Sequence, residues 1–227
     1  MFPYFYFVGC LLWIFLWLII FITRKDLRRQ ILFMSLVIIP AGPLSEVIFY
    51  FKDYWNPVYI FGLRPGIEDI LFAFVVGGVG STIYQFLARK KLIQTREKNT
   101  KESFLIFLFG MLILFISFFG FGLNSIYASI LCFLGMSFVV VVLRRDLLIN
   151  AIISGGIMGL FAFFWYSILL VLYPNIFTEY WFLHNLSNIY IFNVPIEEIL
   201  WFSTWGMISG PAYAFYRGAK FKSIRDS

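Results

Sequence analysis

Seven apolar runs of roughly 20 residues, separated by short loops, take up most of the chain and leave it few ways to fold. They span Tyr4–Thr23, Ile31–Phe51, Ile67–Ala88, Ser103–Phe121, Ser125–Leu143, Leu147–Leu172 and Pro195–Phe215. Each run is long enough to cross a bilayer as a helix, and backbone groups in lipid must find partners within their own segment. With 61% of its 227 residues hydrophobic and 13% charged, the chain carries more apolar surface than one soluble core can bury. The expected fold class is an all-α integral membrane protein with seven transmembrane helices.

The basic residues give this array a direction. They cluster after runs one, three, five and seven, and of the 18 Lys and Arg only Lys52 and Arg64 fall on the other side. The positive-inside rule then predicts a multi-pass protein of the cell membrane, N-terminus outside and C-terminus cytoplasmic. Charge spread between apolar runs in this way does not suggest nucleic acid, despite the net +6. Cys10 and Cys132 lie inside apolar runs and read as small hydrophobes. The lone His184 offers no metal constellation, so no metal is expected. Met1-Phe2-Pro3-Tyr4 lacks the positive region of a cleavable signal.

Within this frame an acidic motif occurs twice. Pro195-Ile196-Glu197-Glu198-Ile199-Leu200-Trp201-Phe202 follows Pro65-Gly66-Ile67-Glu68-Asp69-Ile70-Leu71-Phe72, with the acids 129 residues apart. The same spacing carries Gly77 onto Gly206 and Tyr84 onto Tyr213. Arg24-Lys25-Asp26-Leu27 likewise resembles Arg144-Arg145-Asp146-Leu147. Runs one to three therefore correspond to runs five to seven. Run four restores the original direction, which makes the repeats parallel. The expected division is a first three-helix repeat over residues 1–96, a linking transmembrane helix over 97–123 and a second repeat over 124–227. Repeats related this way commonly form a site at their interface.

Five carboxylates fall at or within the outer half of the expected bundle: Glu46, Glu68, Asp69, Glu197 and Glu198. Acids in spans usually face a bundle interior or a cavity. Pro followed by acids is also an ordinary helix start. Glu46, about one turn beyond the helix-kinking Pro40, Gly42 and Pro43, caps nothing. Adjacent helix residues point about 100° apart, so only one acid of each pair can look squarely into a cavity. Neighbouring carboxylates at low dielectric cannot both ionise cheaply, which supplies a protonated acid beside an ionised base. Phe72, Phe74, Trp201, Phe202 and Trp205 stand nearby, as packing or as ring faces for a cation. The aromatic loops 52–65 and 173–193 read as interfacial covers. There is no dinucleotide fingerprint, so no cofactor is expected. Acid, base and aromatic walls inside a membrane suit rearrangement of an apolar polyene.

The tandem acidic motifs, the Arg-Arg-Asp-Leu-like loops and the seven-run layout together resemble the membrane-integral, flavin-independent lycopene cyclases in their fused form. The resemblance covers essentially the whole chain. Pro195-Ile196-Glu197-Glu198 is the clean match, whereas in the first copy Gly66 follows Pro65 and Asp69 replaces the second Glu. The resemblance implies acid–base cyclisation of the linear ends of lycopene to β-ionone rings, forming β-carotene without net redox change. It implies a lipid-soluble polyene substrate, with membrane lipids and other enzymes of carotenoid synthesis as partners. The alternatives are a cyclase making ε rings or acting on C50 carotenoids, and a non-catalytic carotenoid- or lipid-binding membrane protein. A retinal protein is disfavoured because run seven contains no lysine, and a transporter because the repeat is parallel.

Overall fold

The structure is a computed structural model that describes residues 4–224; Arg225, one of the clustered basic residues, lies outside them. Helix α1 (Phe5–Thr23) ends in a 3-10 turn, Lys25–Leu27, that feeds directly into α2 (Arg28–Ile38). That helix stops before Pro40, which has no N–H to continue the ladder. The run resumes as α3 (Ala41–Ser45), widens into a π turn at Glu46–Tyr50 and closes as α4 (Phe51–Asp53). After a cover loop come α5 (Ile67–Leu87), β1 (Lys90–Gln94) and α6 (Thr100–Phe115), the last extended by a second π turn. The chain continues through α7 (Ser125–Leu143), a 3-10 turn at Arg145–Leu147 and α8 (Leu148–Leu172). The second cover holds α9 (Ile176–Tyr180), β2 (Tyr190–Ile191) and β3 (Val194–Pro195). The last elements are α10 (Ile196–Arg217) and β4 (Ala219–Ser223).

Among the described residues six helical segments are long and apolar enough to cross a membrane: Phe5–Thr23, Lys25–Asp53, Ile67–Leu87, Thr100–Gly120, Ser125–Leu143 and Arg145–Leu172. The seventh expected run, α10, is long enough but falls outside that set. It carries Glu197, Glu198, Thr204, Ser209 and Arg217. Its position explains its composition, because it packs against α8, α7 and α5 and so meets protein rather than lipid along much of its length. Helix α6 is the opposite case, with Phe104, Leu105, Phe107, Leu108 and Leu112 all exposed. The fold is helical as expected, with two short antiparallel strand pairs among the described residues closing the ends of the bundle. Strand β1 pairs with β4, and β2 pairs with β3. The β1–β4 ribbon is built from segments that the sequence reads as a basic loop and a basic tail, where charge masks the alternating Leu92 and Phe221.

The two acidic-motif copies occupy comparable surroundings. Arg24 and Arg144, 120 residues apart, each grip the Asp two residues on with two hydrogen bonds, at 2.7–2.9 Å. Each also donates to the first carbonyl of a terminal strand, Lys90 O at 2.7 Å and Ala219 O at 2.9 Å. Helix α5 meets α2 at Gly77, where a Cβ would lie 2.9 Å from Ile38 Cβ and 3.0 Å from Met34 O. Helix α10 meets α8 at Gly206, where a Cβ would lie 2.8 Å from Met158 Cβ and 2.6 Å from Ser154 O. Met34 and Ser154, like Ile38 and Met158, are again 120 residues apart. At one end of the bundle the ribbon is centred on Leu92 opposite Phe221, positions 129 apart. At the other end Trp55 and Trp181 form an antiparallel bridge, flanked by Asn56 N–H to Tyr180 O at 2.7 Å and Phe182 N–H to Tyr54 O at 2.9 Å. The two cover loops therefore clasp each other.

Candidate active site

Pro195 sits just before α10, where its fixed φ favours helix initiation, and the first turn holds Glu197 and Glu198. Their side chains diverge. Glu197 turns to the cover, accepting from Ser187 N–H and the Tyr127 hydroxyl, both at 2.7 Å. Glu198 turns inward, accepting from the Tyr54 and Tyr166 hydroxyls and from the Trp181 indole N–H, the last at 2.6 Å. The first copy divides its labour in the same way. Glu68 accepts from Ile60 N–H in the cover loop at 2.7 Å. Asp69 accepts from the Tyr6 hydroxyl at 2.9 Å, the Tyr59 hydroxyl at 3.1 Å and Gly66 N–H at 2.8 Å, closing its own helix start. So the first acid of each pair holds the preceding loop, and the second meets tyrosines.

Glu46 belongs to neither pair. The π turn that follows Pro43 carries it, and the Trp55 indole donates to its Oε2 at 2.8 Å. All five carboxylates are buried, none more than 7% exposed.

A cavity of about 50 Å³ lies beneath the clasped loops. Glu46 and Glu198 line it, with Tyr6, Tyr50, Tyr54 and Tyr166 around them and Phe72, Trp165, Trp201 and Phe202 as apolar wall. Phe72 and Phe202 meet edge to face at 6.0 Å, as do Trp201 and Phe202 at 5.0 Å. Of the five acids named from sequence, Glu68, Asp69 and Glu197 do not line this cavity, and Asp69 reaches it only through Tyr6. Two of the five aromatic residues are also elsewhere. Phe74 packs on Trp17 at 5.2 Å, and Trp205 packs on Phe133 at 5.3 Å while donating to Val76 O.

Sequence reasoning passed over the donors. Trp55 and Trp181 are each the second residue of a Tyr-Trp dipeptide, Tyr54-Trp55 and Tyr180-Trp181, one in each cover loop. That repetition was the available signal. Burial, with the Glu198 carboxylate beside it, holds the Tyr54 hydroxyl well above its usual range, so it remains a donor. Burial does the same to Tyr59, next to Glu46 and Asp69.

The family model described as lycopene cyclase matches residues 3–87 and 124–216. The chain belongs to the lycopene cyclase family. The two matched stretches are those that carry the repeated motifs, and the segment between them holds α6. Family membership gives the chain a lycopene cyclase role, with a lipophilic carotenoid substrate in a membrane setting. The cavity draws one carboxylate from each stretch, Glu46 from the first and Glu198 from the second. Neither a curated protein nor a solved structure matches the chain.

Proposed function

We propose that this lycopene cyclase closes β rings on the linear ends of lycopene, with Glu46 as proton donor and Glu198 as proton acceptor. One observation carries the reading: two buried carboxylates from opposite halves of the chain face one aromatic cavity. Their hydrogen bonds separate their roles. Glu198 takes three donors, one of them an indole that can only donate, which suits the acceptor-only ionised form. Glu46 takes one donor on Oε2, leaving Oε1 able to carry a proton.

In the reaction the Glu46 proton adds to the terminal double bond, and a neighbouring double bond attacks the resulting cation to form a six-membered ring. Glu198 removes a proton next to the new cation, leaving the ring double bond. Phe72, Trp201 and Phe202 offer ring faces to the cation while it lasts. One proton enters the substrate and one leaves, so no oxidant, reductant or cofactor is consumed. Each turnover leaves the proton on Glu198, and a cavity with room for a few waters can return it to Glu46. The same cavity is too small for a branched polyene end, so it must widen before the substrate can enter.

The wider frame of the proposal has seven crossings with α10 as the last, three-helix repeats in parallel orientation over residues 1–96 and 124–227, and α6 as linker over 97–123. The N-terminus is outside and the C-terminus cytoplasmic. The test is expression in a lycopene-making host, followed by pigment analysis. Glu46→Gln and Glu198→Gln should each lower ring formation about 10²–10⁴-fold while the protein still accumulates in membranes. Near wild-type ring formation by either variant would refute the assigned pair.

A further inference from the structure

A second cavity, of about 260 Å³, opens at the ribbon end of the bundle, between α2, α5, α10 and the β1–β4 ribbon. Three cations converge on it, Arg29 from α2, Lys91 from β1 and Arg217 from α10, with Tyr213 also in its wall. Asp26, its one carboxylate, is taken by Arg24 through both oxygens. Arg29, Lys91 and Arg217 form no ion pair among the described residues. We propose that this cavity binds the headgroup of an anionic phospholipid.

A basic loop needs no such convergence, and the repeated sequence provides an internal control. The positions matching Arg29 and Arg217 are Ile149 and Ala88, and only Lys91 keeps a basic counterpart, Lys220. The flanking Leu27 and Tyr213 are retained as Leu147 and Tyr84. The shared scaffold therefore forms without the other two cations, and although Arg217 donates to Gln94 Oε1 at 2.9 Å, neither spends its charge on a carboxylate among the described residues. Phosphate chemistry fits three cations beside a hydroxyl. The lipid source follows from α2 itself. Arg29, Leu32, Phe33, Leu36 and Val37 recur at helical spacing on one face, and all five are exposed. That face runs about 12 Å from the cavity toward mid-bilayer. A headgroup at Arg29 lays its acyl chain along this apolar stripe. A free phosphate would leave the stripe unused.

The test uses the purified full chain in detergent, with phosphatidylglycerol, phosphatidylcholine and inorganic phosphate as separate probes. Native mass spectrometry and melting temperature are the readouts. Phosphatidylglycerol should bind saturably and raise the melting temperature, whereas phosphatidylcholine and inorganic phosphate should not. The triple variant Arg29→Gln/Lys91→Gln/Arg217→Gln should bind it on the order of a hundredfold more weakly, as expected for three near-surface cations. A variant of equal charge change outside the cavity, Lys98→Gln/Lys101→Gln/Arg145→Gln, should bind as the unaltered protein does. If the triple variant fails to accumulate, Lys91→Gln alone carries the test at about fivefold. Three results would overturn the proposal: equal binding by cavity variant and unaltered protein, equal loss in the control, or the same stabilisation from inorganic phosphate.

Discussion

Paired acids in this chain are not paired in duty. Glu197 and Glu68 each hold a loop N–H, and each leaves Oε2 without a partner among the described residues. A neutral amide can keep one such bond but loses the charge assistance, so Glu197→Gln and Glu68→Gln should cost about 1–3 kcal/mol of stability. Ring formation per folded molecule should stay near wild type, which separates these residues from Glu46 and Glu198. Thermal melting in detergent together with pigment yield checks both halves. A Glu197→Gln protein that melts normally and makes no rings would reverse the assignment. Trp181→Phe removes one of three donors to Glu198 while keeping an aromatic roof. Losing about 1–1.5 kcal/mol of anion stabilisation leaves up to about tenfold less of Glu198 in the ionised, proton-accepting form, and turnover should slow to the same extent. Single-turnover pigment kinetics would detect it.

At the scale of elements, much of the architecture was legible in the sequence. The helical runs follow from apolar length, and the break at Pro40 follows from a missing N–H. The repeated glycine has a physical reason as well, because a side chain at Gly77 or Gly206 would strike the helix opposite. Gly77→Leu and Gly206→Leu should therefore each destabilise by about 1–3 kcal/mol or more, by forcing apart α5 and α2 or α10 and α8. Loss of membrane-accumulated protein and a lower melting temperature would show it, while Gly156→Ala, with open space around its Cβ position, should be silent. The site was less legible. Sequence spacing singles out the acids as candidates but cannot say which way adjacent carboxylates point. That depends on the first turn of α10 and on where the cover loops lie. The donors Tyr54 and Trp181 come from loops, whose paths leave no periodic trace in sequence. The ribbon was hidden for a related reason, since five-residue strands rich in Lys read as loop.

For the whole molecule, the distribution of basic residues makes a direct prediction. A reporter active only in the cytoplasm, fused after Ser227, should be active, and one fused before Met1 should be silent. The reverse pattern would contradict the proposed orientation. The clasp of the cover loops has a further consequence. Tyr54 of the first half donates to Glu198 of the second, so neither half completes the cavity alone. Two identical subunits clasped around a common line would offer anything lying on that line the same group twice, as two donors or as two acceptors. On the proposed mechanism a proton enters at one carbon and leaves from another, which needs unlike neighbours. Glu46 and Tyr166 occupy matching positions 120 residues apart and differ. On the proposed division, with α6 tethering the two halves in one polypeptide, Glu46 and Tyr166 line one cavity, so an acid meets a tyrosine there rather than its own duplicate.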